Sequence, residues 1–264
     1  MDIRPIGVFD SGVGGLTVLK RLKELLPNEN YIYFGDTKRV PYGEKSKEEI
    51  EKYARQIVHF MNEKNTKIIV IACNTTCASI DKNEYSEILF NVLEAGAESA
   101  ANLTKNKKVG VIATTRTIES RSYEKNIKSI DSGVDVFGKA CPRFAPLVEE
   151  GLANSDEAFK CAKEYLSALN NEEIDTLVLG CTHYPILINA IKNAVDKDVI
   201  IVDPAIKLSE KVKSYLEENA MLNSRLTGKT EYFVSGNKEN FVNTAKLILN
   251  EDIEKISIVD IERY

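Results

Sequence analysis

Ile69-Val70-Ile71-Ala72-Cys73 and Leu177-Val178-Leu179-Gly180-Cys181 decide the fold of this chain. Each is a short apolar run that closes on a cysteine, and continuous apolar runs of this length read as strands buried on both faces of a parallel sheet. The similarity extends outward from this pair. Gly7-Val8-Phe9 recurs as Gly110-Val111-Ile112, and Tyr31-Ile32-Tyr33-Phe34-Gly35 as Val134-Asp135-Val136-Phe137-Gly138, both expected as buried strands closed by glycine. Val92-Leu93-Glu94-Ala95 resembles Ile201-Val202-Asp203-Pro204, with a helix expected after each acidic residue. Four pairs in the same order, at a nearly constant offset, imply two halves of like topology.

Amphipathic stretches separate the strands. Ser46 and Glu49 form a capping-box pattern, and Ile50, Tyr53, Ala54, Ile57, Val58 and Met61 then fall on one helical face of a helix reaching Lys64. A second helix is expected to open at Asn154 with Glu157, burying Ala158, Cys161, Ala162, Tyr165 and Leu169. The class is therefore α/β: two similar domains, each a mainly parallel sheet flanked by helices, related by pseudo-twofold symmetry. After the second copy come a strand at Tyr232-Phe233-Val234, a helix from Asn237 to Leu249 and a strand at Ile256 to Val259. They predict that the chain crosses back near residue 205. Residues 1–95 and 205–264 would then make the first domain, and 96–204 the second.

Ligands of open parallel sheets bind beyond the carboxyl ends of the strands, where Cys73 and Cys181 lie. With the halves facing each other, the two sulfurs approach one ligand from opposite sides. Inverting a carbon stereocentre requires this geometry, since a base must remove a proton from one face while an acid returns one to the other. Cysteine suits both roles because its pKa of about 8.5 lets thiol and thiolate interchange. Asn74, Thr75 and Thr76 after one cysteine, and Thr182 and His183 after the other, offer donors for a carboxylate. A lone strand-ending cysteine reads as a small packed residue. Two at matching ends of a repeat, each followed by polar side chains, favour chemistry, with His183 assisting proton transfer.

The loop Asp10-Ser11-Gly12-Val13-Gly14-Gly15 leads into a helix over Leu16 to Leu26. It lacks the third glycine of a dinucleotide fingerprint, where Thr17 stands, and the Gly-Lys-Ser/Thr of a P-loop. Its glycines fit a tight turn that sets Asp10 and Ser11 at the cleft, or merely a helix entry. Asp36 and Pro41-Tyr42-Gly43 are expected to reach the same cleft. Cys73-x3-Cys77 completes neither a zinc nor an iron–sulfur pattern, so Cys77 reads as packing and no metal or other cofactor is expected. His59 is read as surface or boundary.

At 264 residues the chain is long enough for two compact domains, with 43% hydrophobic and 28% charged residues. No apolar run approaches the roughly 20 residues of a membrane span, and the N-terminus lacks a secretory pattern. Five cysteines at irregular spacing read as reduced thiols in a cytoplasm. Lys plus Arg number 35 against 40 Asp plus Glu, a net charge of −5 that disfavours nucleic acid but not a small acidic substrate. A homodimer is the assembly expected on frequency alone.

Gly7-Val8-Phe9-Asp10-Ser11-Gly12-Val13-Gly14-Gly15-Leu16, Phe34-Gly35-Asp36-Thr37 with Pro41-Tyr42-Gly43, Ala72-Cys73-Asn74-Thr75, Cys141-Pro142-Arg143-Phe144-Ala145-Pro146-Leu147-Val148-Glu149-Glu150 and Gly180-Cys181-Thr182-His183-Tyr184-Pro185 together resemble bacterial glutamate racemase, of the aspartate/glutamate racemase superfamily. The similarity spans nearly the whole chain. It implies an isomerase that interconverts L- and D-glutamate without pyridoxal phosphate or metal and supplies D-glutamate for peptidoglycan. It also implies Cys73 and Cys181 as catalytic thiols, Cys181 serving the L-face and Cys73 the D-face, assisted by Asp10 and His183. Asp10, Ser11, Tyr42, Gly43, Asn74, Thr75, Thr182 and His183 match the family's substrate contacts. Asp36, Glu149 or Glu150, Thr114 and Thr117 match a second tier. Two positions depart from the pattern: Arg116 replaces a glycine before Thr117, and Ala95 replaces a proline. Two rivals are a racemase of aspartate or another small acid, and a two-lobed binding protein without chemistry.

Overall fold

The computed structural model describes residues 2–224, 228–251, 253 and 255–264. The strands are β1 (Ile6–Asp10), β2 (Tyr31–Gly35), β3 (Ile68–Ile71), β4 (Leu89–Asn91), β5 (Lys108–Ala113), β6 (Asp135–Ala140), β7 (Thr176–Gly180), β8 (Ile200–Val202), β9 (Thr230–Val234) and β10 (Ile256–Ile258). The helices are α1 (Leu16–Leu25), α2 (Lys47–Glu63), α3 (Asn74–Ser79), α4 (Val92–Leu103), α5 (Thr115–Glu119) and α6 (Ser122–Ile130). They continue with α7 (Phe144–Glu149), α8 (Asp156–Asn170), α9 (Ile188–Ala194), α10 (Pro204–Glu218) and α11 (Lys238–Leu249).

Among the described residues the strands form two sheets, ordered β10-β9-β2-β1-β3-β4 and β6-β5-β7-β8, with every pairing parallel. The run β2-β1-β3-β4 has the same order as β6-β5-β7-β8, so the internal similarity of the sequence is a repeat of topology. The strands after the second copy, β9 and β10, extend the first sheet beyond β2.

The second sheet serves two cores because successive strand residues face opposite sides. Val109, Val111 and Val178 join the large core that fills the first lobe and surrounds α4 and α10. Ile112, Leu177 and Leu179 face Phe144, Leu166 and Tyr184 on the other side. The positions 95/96 and 204/205 at which the chain was expected to change domain fall inside α4 and at the first turn of α10.

Three local expectations need correction. The fourth strand of the first copy is Leu89–Asn91 rather than Val92–Ala95. Asn91 caps α4 by accepting from the N–H groups of Leu93 and Glu94, and Asp203 caps α10 by accepting from Ala205, so Asn91, not Glu94, corresponds to Asp203. Strand β6 is only half-buried, whereas β2 is buried throughout, because β9 covers β2 while β6 is a sheet edge. Edge strands tolerate charges such as Asp135 and Lys139. The cap of α8 is Ser155, accepting from Ala158 N, one residue later than Asn154. Leu166 lies in the core, and Tyr165 is half-buried. The capping box of α2, formed by Ser46 and Glu49, is as expected, and His59 is exposed.

Candidate active site

The carboxyl ends of both sheets open on one cavity of about 310 Å³, walled by Ser11, Val40, Pro41, Tyr42, Gly43, Cys73, Asn74, Thr75, Thr114, Ala145, Pro146, Glu149, Cys181, Thr182 and His183. Both cysteines line it, at 5% exposure for Cys73 and 8% for Cys181. Cys73 follows β3 and caps α3: its Sγ accepts from Thr76 N at 3.4 Å, and its thiol donates to Ser11 Oγ at 3.6 Å. Burial and the nearby Asp10 carboxylate push Cys73 up to about 11, against the hydrogen bonds of Thr76 and Ser11. The thiol is therefore its stable form at neutral pH.

Cys181 follows β7 and meets a different neighbour. His183 Nδ1 lies 3.7 Å from Cys181 Sγ, and His183 Nε2 lies 3.2 Å from Glu149 Oε1. Burial alone would disfavour a charged ring, but the hydrogen bonds to Cys181 and Glu149 outweigh it and push His183 up to about 10. As an imidazolium it can donate through both nitrogens, to Cys181 Sγ on one side and to Glu149 on the other.

Asp10 stands one layer behind the wall. Its Oδ2 accepts from Gly12 N at 3.1 Å and its Oδ1 from Thr182 Oγ1 at 3.5 Å. Burial raises its carboxyl above the usual range, opposed by the His183 charge and by N–H groups of the glycine loop. That loop comes against the second lobe at Gly14, where a Cβ would lie 2.4 Å from Thr182 Oγ1 and 2.6 Å from His183 Cε1. Thr17, which broke the dinucleotide pattern, donates to Thr182 O at 3.0 Å and ties α1 to the cysteine turn of the other lobe.

Asp36 does not reach the cavity. It is fully buried behind Tyr42, accepting from the Tyr42 hydroxyl, from Arg39 Nε at 2.6 Å and from Ser235 Oγ at 2.7 Å. With the Tyr42 hydroxyl engaged there, the donors available at this wall are the backbone N–H groups opening the 3-10 turn at Tyr42 and Gly43. Thr75 and Thr114 line the cavity, and Thr117 behind them completes a threonine triangle across the lobes: Thr75 and Thr114 hydroxyls lie 3.0 Å apart, as do those of Thr114 and Thr117. Thr114 itself caps α5, so Thr117 keeps its place despite Arg116, which is absent from the cavity wall. Of the two adjacent acids Glu149 faces the site, whereas Glu150 is exposed. Cys77 turns away and donates to Ile71 O at 3.5 Å.

Val40, Ala145 and Pro146 are wall residues that no reactive side chain signalled; only membership of a recognised segment hinted at the last two. Among the described residues, no helix is long and apolar enough to cross a membrane.

Two matching lobes each present a thiol to one shared cavity, and with this fold they define the class of the protein, an amino-acid racemase. The family model for Asp/Glu/Hydantoin racemase matches residues 6–208, and the chain belongs to that family. It is 61% identical over 264 residues to the glutamate racemase of Thermoanaerobacter sp. (strain X514), covering all of both chains. Its fold is similar to glutamate racemase from Francisella tularensis in complex with D-glutamate, with a TM-score of 0.94, 37% identity and full coverage of both chains. The Thermus thermophilus glutamate racemase in complex with beta-chloro-D-alanine is similar at a TM-score of 0.91 and 39% identity, again over both full chains. The protein is thus an amino-acid racemase.

Proposed function

We propose that the substrate is glutamate and that Cys73 and Cys181 are the opposed acid and base of its racemisation. The observation that carries this is the convergence of two strand-ending sulfurs, one from each copy of the repeat, on a single cavity. The glutamate assignment is supported by glutamate racemases 61% and 62% identical to this chain over their full length.

In the L-to-D direction, the Cys181 thiolate takes the α-proton as the Cα–H bond breaks, leaving its electron pair on a planar, carboxylate-conjugated carbon. The Cys73 thiol then gives its proton to the opposite face, forming the new Cα–H bond and leaving Cys73 as thiolate. D-to-L turnover runs the same steps in reverse. His183, held by Glu149, stabilises charge on Cys181. Asp10 anchors the glycine loop and Thr182. Ser11, Tyr42, Gly43, Asn74, Thr75 and Thr182 hold the carboxylates and amino group. The product would feed peptidoglycan synthesis in the cytoplasm.

Following each glutamate enantiomer in deuterated water tests the reading. Product of inverted configuration carrying deuterium at Cα is the expected result. Turnover of aspartate alone, or binding of glutamate without exchange of its α-hydrogen, would overturn it.

A further inference from the structure

Tyr123 on α6 belongs to no motif singled out in the sequence, is 3% exposed, and lies outside the cavity wall. Its hydroxyl nevertheless donates across the lobes to Asn74 Oδ1 at 2.7 Å. Two glycines make room for it: a Cβ on Gly96 would lie 3.0 Å from its oxygen, and one on Gly180 3.0 Å from its ring Cε2. Asn74 follows Cys73 directly and Gly180 precedes Cys181, so one side chain touches the neighbours of both sulfurs. Burial raises the phenol well above its ordinary range, keeping it a neutral donor. An amide whose oxygen already accepts a hydrogen bond has its NH2 free to turn to the cavity, where an anionic substrate needs donors.

We propose that Tyr123 is a positioning residue: it holds Asn74 with its NH2 toward the substrate carboxylate and braces the residue before Cys181. This rests on Asn74 being a substrate contact. Phe at this position would keep the ring between its two glycines and lose only the hydroxyl.

Steady-state kinetics of Tyr123→Phe, Asn74→Ala and the double variant test it. Tyr123→Phe should raise KM about tenfold while kcat changes by less than about twofold, the size expected for one buried hydrogen bond. The double variant should be no worse than Asn74→Ala, because the two residues act as one unit. Wild-type KM in Tyr123→Phe, or a double variant whose loss is the product of the two single losses, would overturn the proposal. Asn74→Ala with wild-type KM would instead remove Asn74 from the substrate contacts, and the inference with it, while leaving the two-thiol mechanism standing. In the unmutated protein, the Asn74 side-chain amide signals should shift when glutamate is added; unmoved signals would also overturn it.

Discussion

Cys73 and Cys181 occupy equivalent ends of equivalent strands, yet their surroundings differ in sign. Cys73 sits by a serine hydroxyl and near the Asp10 carboxylate, which with burial favours its thiol. Cys181 sits against an imidazole that its hydrogen bonds to Cys181 and Glu149 keep protonated. The repeat supplies the placement of two sulfurs, and the non-repeated neighbours supply their different surroundings. On the proposed mechanism, the protonated Cys73 and the imidazolium beside Cys181 suit removal of the α-proton of the L-enantiomer by Cys181 and delivery of a proton from Cys73.

Removing either sulfur breaks the comparison outright. Cys73→Ala and Cys181→Ala should each lower racemisation by at least about a thousandfold, in the range for loss of a general acid or base. Both should unfold cooperatively near the wild-type temperature, since each side chain is small and at the rim of the core. A variant racemising within tenfold of wild type would remove that cysteine from the mechanism.

His183→Asn sharpens the contrast. We expect kcat/KM to fall about a hundredfold, and by the same factor in both directions, because the enantiomers have equal free energy in solution and the equilibrium constant stays at one. The asymmetry should appear in isotope effects. With the Cys181 step made slower, α-deuterated L-glutamate should show a larger primary effect than in wild type, and α-deuterated D-glutamate a smaller one. Equal changes for both would place His183 at neither sulfur in particular.

Gly14→Ala tests whether the lobes need their close approach. The added carbon would overlap Thr182 and His183, and overpacking of this kind costs about 1–3 kcal/mol. Thermal unfolding should report that loss, with activity reduced more than in an alanine variant of an exposed α2 residue.

The smallest expected effect is on stability against pH. His183 binds its proton more tightly folded than unfolded, so its contribution is complete below about 6.5 and is lost as pH rises to about 10. Cys73 adds the same sign at higher pH: the unfolded chain ionises its thiol near 9 and the folded one near 11, so alkaline pH favours unfolding. The melting temperature should therefore decline by a few degrees between pH 7 and 10, and His183→Asn should flatten the decline. A wild-type melting temperature that rises over this range would contradict the assigned charge states.

Most of the architecture was legible because apolar runs and glycine turns are local signals, and a repeated order of them is a topological one. The misplaced fourth strand shows the limit: Val92 and Leu93 are buried whether strand or helix, and only the capping bonds of Asn91 decide between them. The exposure of β6 depends on which strand covers which edge, a property that later segments of the chain determine. At the site, the cysteines, His183 and the glycine loop could be read from their chemistry and position. Asp36 was expected at the cleft from its place after β2, but the orientation of Tyr42 puts it one layer back. Tyr123 had no signal at all, because a buried tyrosine on an amphipathic helix reads as core.

The most direct test separates the two sulfurs. Each alanine variant is incubated in deuterated water with each glutamate enantiomer, and α-hydrogen exchange is followed by proton NMR. The account predicts that Cys73→Ala exchanges L-glutamate but not D-glutamate, Cys181→Ala the reverse, and neither inverts its substrate. Exchange of both enantiomers by a single variant would contradict it.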